Sequence, residues 1–496
     1  MTVEGGGGGR GSADRALLTG RLRATANPIG QYVRARRPIC MIPFRAREAV
    51  LPASVRGVFA EAVNPASYRA VAAQVKYPVG AVLVSYSLLS FGITAVLSQL
   101  LGSRRFGEFA VVITIAGIFR LLASFSVESG TAKFIAESSH RSQLEMKAYY
   151  AAGLATRVTG STVSLLLAVA CGGWVARLYG VPHLSRAVVA ASIYLCLLWP
   201  LATFFLACVQ GREQPVRWAT ATLVNAALVF PAGVIGAVGI PRWGLAGVLL
   251  WIAIGWAAAA IASAIFSRRA IGFTWARPDL THLRVLVPFL LPLWLGELIS
   301  FGTHIILKSY LAVKAGPVSV GQFEICLTLL FQVGTLYQAM MIVFLPTWAK
   351  LYAAQQGAAL LASYSTMRGV VVGMASGFGL VLAVGGQWVI PLIFGREQVG
   401  AVAAARVMGL VMPLTFLGWL TLSSFVISNQ TAIAARANIL WFCIVVPSGL
   451  LLIPRLGSLG ASVAFLLGYI VFTWYAVARA RPFHARLRRW GERQAG

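Results

Sequence analysis

Twelve long apolar segments follow one another from Gly80 to residue 478, and they constrain the fold more than any other feature of the sequence. Each is near the ~20 residues with which a helix crosses ~30 Å of hydrocarbon. The segments are continuously apolar rather than alternating, which favours helices over a barrel. We therefore predict an all-α polytopic membrane protein with about twelve transmembrane helices. The approximate spans are 80–101, 109–128, 150–174, 185–209, 218–240, 243–266, 285–311, 321–346, 369–392, 401–427, 437–454 and 458–478.

Charge and cysteine content exclude several other classes of protein. Charged residues make up 11% of the chain, whereas soluble proteins carry about 25%. The formal net charge of +28 is concentrated in terminal tails and short loops, as in proteins that keep positive charge in the cytoplasm, so we predict no nucleic-acid partner. The six cysteines show no paired spacing, and the chain has neither a phosphate-binding loop nor a D-x-D motif. We predict no metal site, no cofactor and no catalytic residue.

Both ends of the chain are basic. Residues 1–78 contain twelve Arg or Lys against four acids and include a run of five glycines, so we predict a disordered cytoplasmic tail there. Residues 480–496 are predicted to form a second basic cytoplasmic tail. Twelve spans place both termini on one side of the membrane, and the charge of the tails makes that side the cytoplasm.

A glycine-bracketed stretch occurs twice. Residues 102–109 read GSRRFGEF and residues 316–323 read GPVSVGQF, so both follow G-x-x-x-x-G-[E/Q]-F between two apolar segments. The glycines suit a tight turn between two helices. Further pairs occur in the same order at offsets of 210 to 215: Ser90-Phe91-Gly92 with Ser300-Phe301-Gly302, Leu178-Tyr179-Gly180 with Ile393-Phe394-Gly395, Pro200 with Pro413, Asn225 with Asn438, and Pro241-Arg242-Trp243-Gly244 with Pro454-Arg455-Leu456-Gly457.

The repeat divides the membrane region into an N-lobe at 79–284 and a C-lobe at 285–479, each with six spans. Because six is an even number, the two copies point the same way through the membrane. A parallel duplication of this kind is typical of transporters, in which the site lies between the halves and one half rocks against the other.

Polar residues inside the spans mark candidate sites, since an ionisable group at mid-membrane costs roughly 2.5 to 3.5 kcal/mol. On one face of the seventh span lie Glu297, Ser300, His304 and Lys308. The first span carries an uncharged stripe at the same spacing, formed by Ser87, Ser90, Thr94 and Ser98. We expect the two stripes to wall a shared aqueous cavity that binds the substrate.

These residues have functional and structural interpretations. Lys308 and His304 could hold an anionic headgroup while Glu297 senses a coupling proton or cation. Alternatively, Glu297 pairs with Lys308, or Lys308 extends to the interface. We place Arg120 in the middle of the second span and Arg157 in the third, as partners for phosphate. The structural alternative for the arginines is a bond to backbone carbonyls or to Glu128.

The segment from Leu88 to Glu137, with its S-F-G-I-T, L-G-S-R-R-F-G-E-F and T-A-K-F-I-A-E stretches, resembles the first helices of bacterial polysaccharide repeat-unit flippases of the Wzx type. These belong to the multidrug/oligosaccharidyl-lipid/polysaccharide (MOP) superfamily. The resemblance covers about 80–480 and implies two six-helix lobes of the MATE-like fold in the bacterial inner membrane. It further implies an undecaprenyl-diphosphate-linked oligosaccharide as substrate, coupling to H⁺ or Na⁺, and polysaccharide polymerase or export partners. No local motif carries the cationic positions of these proteins onto Arg120, Arg157 or Lys308.

Two rival functions stay open. A multidrug or cation antiporter of the same fold would use acids in the lobes. The deep charges here include Arg120, Arg157 and Lys308, against Glu297 and Glu128 near a span end, and this balance favours an anionic substrate. A membrane enzyme of polysaccharide assembly would need a large hydrophilic loop or a catalytic constellation, and every predicted outer connection is short.

Overall fold

Twelve long helices make up the membrane region of the computed structural model, which describes residues 77, 79–139, 142–212, 214–272, 280–428 and 430–495. The predicted tail at 1–78 lies outside the described residues, apart from Tyr77. Within the described part, ten helices are long and apolar enough to cross a membrane. Three of these are broken at a glycine. Gly102 and Gly316 each separate two spans, whereas Gly244 lies four residues from the start of its helix, so the ten helices contain twelve spans, as predicted. The protein is a multi-pass membrane protein.

The helices are numbered by span. They are α1 (79–101), α2 (103–123), α3 (Gln143–Leu178), α4 (185–211), α5 (Pro215–Val238), α6 (Ile240–Ile271), α7 (280–315), α8 (317–353), α9 (Gly357–Phe394), α10 (Val402–Ile427), α11 (Thr431–Leu456) and α12 (Ser458–Ala495). Between α2 and α3 lies a shorter connecting helix, Val127–Ser139. Within α1 and α4, one stretch each is a π-helix, Ser87–Gly92 and Ile193–Leu198.

Positive backbone φ angles occur at corresponding glycines of the two copies of the internal repeat. Three pairs of glycines matched by the repeat have positive φ in both copies: Gly102 (69°) with Gly316 (81°), Gly180 (70°) with Gly395 (97°), and Gly244 (63°) with Gly457 (57°). Side chains other than hydrogen disfavour this conformation, so the glycines of the repeated motifs are required by the turns they form. The two lobes therefore turn the chain in the same way at corresponding positions.

The lobes meet chiefly where α1 and α2 of the N-lobe pack against α7 and α8 of the C-lobe. The end of the molecule that carries Gly102 and Gly316 is named the turn end, and the opposite end is named the tail end. At the tail end the connecting helix buries Val127 and Ile135 in a hydrophobic cluster that also contains Leu286 and Leu290 of α7. This cluster joins the connecting helix of the N-lobe to the first turns of the C-lobe.

The predicted C-terminal tail continues α12 as a helix to Ala495. Its inner face buries Phe483 and Leu487, and Phe483 stacks on Tyr352 of α8 with ring centroids 5.8 Å apart. Regular spacing of these apolar residues on one face explains why the basic segment stays helical. The C-terminal segment is thus part of the folded C-lobe.

Candidate substrate cavity

A cavity of about 130 Å³ lies between α2 of the N-lobe and α7 and α8 of the C-lobe. Four of the predicted site residues line it: Arg120, Glu297, His304 and Lys308. Other lining residues include Thr114, Gly117, Ser124, Phe301, Glu324 and Phe331. The cavity thus lies between the lobes, where the duplication predicts it.

Glu297 is tied to the N-lobe across the cavity. The hydroxyl of Ser124 donates a hydrogen bond of 2.9 Å to the Glu297 carboxylate. Three residues earlier on α7, the indole N–H of Trp294 donates to the carbonyl oxygen of Leu121 at 3.0 Å, and the Trp294 ring stacks on Phe125 at 4.8 Å. One acid and one indole therefore hold α7 to the end of α2, and the carboxylate retains further acceptor capacity.

Arg120 lies in the last turn of α2, because the helix ends at Ala123. The expected mid-span position was wrong, since the sequence pattern extends the apolar segment to residue 128. The guanidinium carbon lies 3.7 Å from the centroid of the Trp199 ring on α4 and 5.7 Å from that of Phe301 on α7. Aromatic faces stabilise a cation within about 6 Å without using its N–H donors. Arg120 can therefore keep its donors directed at a ligand.

Lys308 forms a salt bridge with Glu324 of α8, with 2.8 Å between Nζ and Oε2. The alternative pairing of Lys308 with Glu297 is not the one observed. Lys308 and Glu324 each lie eight residues from Gly316, which corresponds to ~12 Å from the turn end at ~1.5 Å per residue. Arg120 and Glu297 lie 18 and 19 residues from the turns, or ~28 Å. The cavity therefore carries charge at two depths.

His304 lies between these two levels in an aromatic surround. Its ring centroid is 5.2 Å from that of Phe465, 5.6 Å from Phe331 and 5.7 Å from Trp441. Nδ1 lies 2.8 Å from the carbonyl oxygen of Ser300, so in the neutral ring Nδ1 donates and Nε2 is an acceptor. Within the described part of the chain, the buried Nε2 has no hydrogen-bond partner. A buried acceptor of this kind favours a ligand hydroxyl or water.

The remaining predicted site residues do not line the cavity. Arg157 is buried, at 2% exposure, and forms a salt bridge with Glu128, which also accepts a bond of 3.1 Å from Thr203. Ser90 and Thr94 donate to carbonyl oxygens of their own helix, those of Tyr86 and Ser90. Ser300 contributes its backbone carbonyl to His304. The polar stripe of α1 is thus largely satisfied by its own backbone, although Ser87 bonds to Gln332 of α8.

At the turn end the two copies of the G-x-x-x-x-G-[E/Q]-F stretch touch each other. A Cβ atom added to Gly107 would collide with the carbonyl oxygen of Pro317, and one added to Gly321 would lie 3.0 Å from Cα of Gly107. Backbone meets backbone here because both positions are glycine. We predicted a helix-hairpin turn for this stretch, and the structure adds contact between the lobes.

Two polar contacts reinforce this closure between the N-lobe and the C-lobe. The Ser103 N–H donates to the Glu397 carboxylate at 2.9 Å, and the Gln99 amide donates to the carbonyl oxygen of Ile393 at 2.6 Å. The turn end is therefore closed by direct contact of the lobes.

Comparison with known proteins decides the family. Residues 77–352, more than half of the chain, match the family of polysaccharide biosynthesis proteins. The chain belongs to this family. None of the curated proteins matches it.

Solved structures share the fold of this polysaccharide biosynthesis protein. An inward-facing multidrug resistance MATE family transporter of the MOP superfamily has a TM-score of 0.69 and 13% identity, over 82% of this chain and 96% of that one. The lipid II flippase MurJ, in an inward closed conformation, has a TM-score of 0.64 and 10% identity, over 83% and 89%. MATE in its bent conformation has a TM-score of 0.61 and 14% identity, over 88% and 99%. The predicted fold class, two lobes of MATE-like helices, is confirmed.

Sequence reasoning missed Glu324, Ser124 and Trp199, and also the lining residues Thr114, Phe301 and Phe331. Glu324 carried a usable signal, because it is an acid inside the eighth span and the insertion cost that selects Glu297 applies to it equally. Trp199 and Ser124 carried none, since an aromatic or a serine in a transmembrane helix is ordinary. Their contribution becomes visible through the packing of α4 and α7 against α2.

Proposed function

We propose that this polysaccharide biosynthesis protein is a flippase that moves an undecaprenyl-diphosphate-linked oligosaccharide from the inner to the outer leaflet of the bacterial cytoplasmic membrane. Both termini would face the cytoplasm, and the protein would act as a transporter rather than an enzyme. The observation that carries the proposal is the charged cavity between α2, α7 and α8, in a chain of a polysaccharide biosynthesis family. A polysaccharide polymerase or export protein would take up the product.

Arg120 is the residue best suited to the diphosphate. A guanidinium presents parallel N–H donors that match phosphate oxygens, and the stacking on Trp199 leaves them available. Lys308 would contribute only after its bond with Glu324 is exchanged. The acceptor Nε2 of His304 would receive a sugar hydroxyl.

The position of the cavity supports a mechanism by movement of the lobes. Its wall is formed by α2 of the N-lobe and by α7 and α8 of the C-lobe, so movement of one lobe against the other would change its size and its access. Closure at the turn end by Gly107, Gly321 and Glu397 would be broken for release. Alternating access by rocking of two related lobes fits this arrangement.

Glu297 is our choice for the group that binds the coupling ion, H⁺ or Na⁺. Its carboxylate is held by the Ser124 hydroxyl of the other lobe, so protonation or ion binding would change a contact between the lobes. A charge change at such a contact can bias a two-state movement.

The experiment is removal of the protein from its host, followed by extraction of membrane lipids. We expect a lipid-linked oligosaccharide to accumulate in the inner leaflet and export of the polysaccharide to fall. Restoring the intact protein should reverse both effects, and restoring the Arg120→Ala variant should not. Unchanged export would contradict the proposal.

An antiporter of multidrugs or cations is the second candidate, since the formal charges that line the cavity cancel. Arg120 and Lys308 are balanced by Glu297 and Glu324, and a neutral cavity does not repel cations. Altered drug sensitivity together with normal polysaccharide export would favour this function.

A further inference from the structure

A groove lies between α10 and α12 on the surface of the C-lobe, away from the cavity between the lobes. Leu414 of α10 and a stripe of α12 line it, and the stripe consists of Ile470, Thr473, Trp474, Val477, Ala478 and Arg481. The two helices are joined there by a hydrogen bond of 2.7 Å from the Thr473 hydroxyl to the carbonyl oxygen of Leu414. The groove is apolar along most of its length and has a cation at one end.

The cationic end lies at the level of a membrane surface. Arg481 is 23 residues from the start of α12 at Ser458, or ~35 Å at ~1.5 Å per residue, which is longer than ~30 Å of hydrocarbon. Trp474 lies seven residues before Arg481 and is 70% exposed. Exposed tryptophan close to the interface is typical of helices in contact with lipid headgroups and the upper parts of acyl chains.

Positive charge continues from the groove along the same face of α12. Arg488 lies 18 residues, or five full turns, after Ile470, which places it on the groove face beside Arg481. Both arginines are exposed. His484 lies between them in the sequence, and its ring packs on Tyr364 of α9 with 5.0 Å between the ring centroids. The sequence from 458 to 491 contains no Asp or Glu, and the one acid of this helix, Glu492, lies one turn after Arg488.

We propose that this groove binds an anionic phospholipid, with an acyl chain along Ile470, Trp474 and Val477 and the phosphate on Arg481 and Arg488. The lipid belongs to the leaflet at the tail end, which is the inner leaflet in the orientation given under the proposed function. Charge complementarity selects the occupant. Arg481 and Arg488 form no salt bridge with the described residues, and an apolar groove that ends in such arginines matches a molecule with an acyl chain and a negative headgroup. Basic pockets between helices on the cytoplasmic side bind anionic headgroups in this way. The site is outside the substrate cavity and does not depend on the transported molecule.

Quenching of tryptophan fluorescence by brominated lipid tests the proposal, because Trp474 lines the groove. The full chain is placed in phosphatidylcholine vesicles that contain a small fraction of phosphatidylglycerol with brominated chains, or the same fraction of brominated phosphatidylcholine. We expect stronger quenching by the brominated phosphatidylglycerol, and we expect the Trp474→Phe variant to lose this difference. Equal quenching by both lipids would overturn the proposal.

Two double variants that lose the same charge distinguish binding in the groove from a general attraction of anionic lipid to the basic surface of the protein. The variant Arg481→Ala/Arg488→Ala removes both groove arginines. The preference for phosphatidylglycerol should fall about fivefold for each arginine removed, since one arginine near the surface contributes about 1 kcal/mol. Arg479→Ala/Arg486→Ala removes two exposed arginines that lie about 160° away around α12, and the preference should persist. An equal fall in both variants would contradict a specific site. Arg481→Lys/Arg488→Lys should retain part of the preference, and elution of each variant as an intact protein controls for folding.

Discussion

The ion pair of Lys308 and Glu324 is mostly buried in the wall of the cavity, with side-chain exposures of 11% and 23%. Removing one partner of such a pair leaves a charge without compensation at a cost of about 3 kcal/mol or more. We therefore expect Glu324→Gln to lower the thermal unfolding temperature of the purified protein. The double variant Lys308→Met/Glu324→Gln should recover most of the loss, because both charges are then gone. An unfolding temperature as low in the double variant as in Glu324→Gln would show that the pairing is not the source of stability.

Glu297 differs from Glu324 in having a hydroxyl, rather than a cation, as its bonded partner. We expect Glu297→Gln to abolish coupled transport without lowering the amount of protein, since the amide has nearly the same shape but cannot bind a proton or cation in the same way. Transport is measured as oligosaccharide that appears in the outer leaflet. The matched control is Glu137→Gln, the same change at an exposed acid of the connecting helix, and it should retain activity. Ser124→Ala should weaken coupling, because it removes the contact of Glu297 with the other lobe. Normal transport by Glu297→Gln would remove Glu297 from the mechanism.

At the scale of the helix, α2 carries two glycines with different surroundings. Gly107 faces the backbone of α8 with no room for a methyl group, whereas a Cβ at Gly117 would lie 3.7 Å from Ile305 of α7, an ordinary contact. The close approach at Gly107 brings α2 and α8 together at the turn end. At Gly117 the spacing between α2 and α7 is wider, and both Gly117 and Ile305 line the cavity there.

We expect Gly107→Ala to separate the lobes at the turn end, because the added methyl group would collide with Pro317 of the opposite lobe. Overpacking of this kind costs about 1–3 kcal/mol, enough to shift a balance between closed and open lobes. Spin labels on Arg105→Cys and Val399→Cys, both exposed residues near the turn end, would report a longer and broader distance distribution. Gly117→Ala should leave the distribution unchanged. Identical distributions in all three proteins would show that the glycine contact does not control closure.

Helix α1 shows why a polar stripe does not by itself locate a cavity. Ser90 and Thr94 have the same spacing as Ser300 and His304 of α7, yet their hydroxyls bond to carbonyls one turn earlier in the same helix. Serine and threonine can always take this partner, whereas lysine and glutamate need a partner from another helix or a ligand. A charged position inside a span therefore indicates a contact with another helix or a ligand, as for Lys308 with Glu324 and Arg157 with Glu128, whereas a hydroxyl position does not.

At the scale of the whole molecule, the sequence predicts what repeats along the chain and not what packing brings together. The twelve spans, the two lobes and the turns at Gly102 and Gly316 all follow from apolar length and repeated glycines. The partner of Lys308 and the pairing of Arg157 with Glu128 depend on which helices become neighbours. The end of α2 at Ala123 likewise depends on packing, because the apolar pattern continues through Phe125.

Movement of the lobes against each other can be tested by holding them together at the turn end. In this closed arrangement Ser103 of the N-lobe and Glu397 of the C-lobe are in hydrogen-bond contact, so cysteines at both positions can be joined by a short reagent with a reducible link. Joining them would prevent release to the outer side, and we expect flipping of the oligosaccharide to stop and to return after reduction. The matched control joins Gln387→Cys and Arg406→Cys, whose native side chains are bonded at 3.1 Å within the C-lobe, and should leave transport intact. Continued flipping with the lobes joined would mean that substrate crosses without separation of the turn end, because a covalent link at that position cannot coexist with rocking of the two halves.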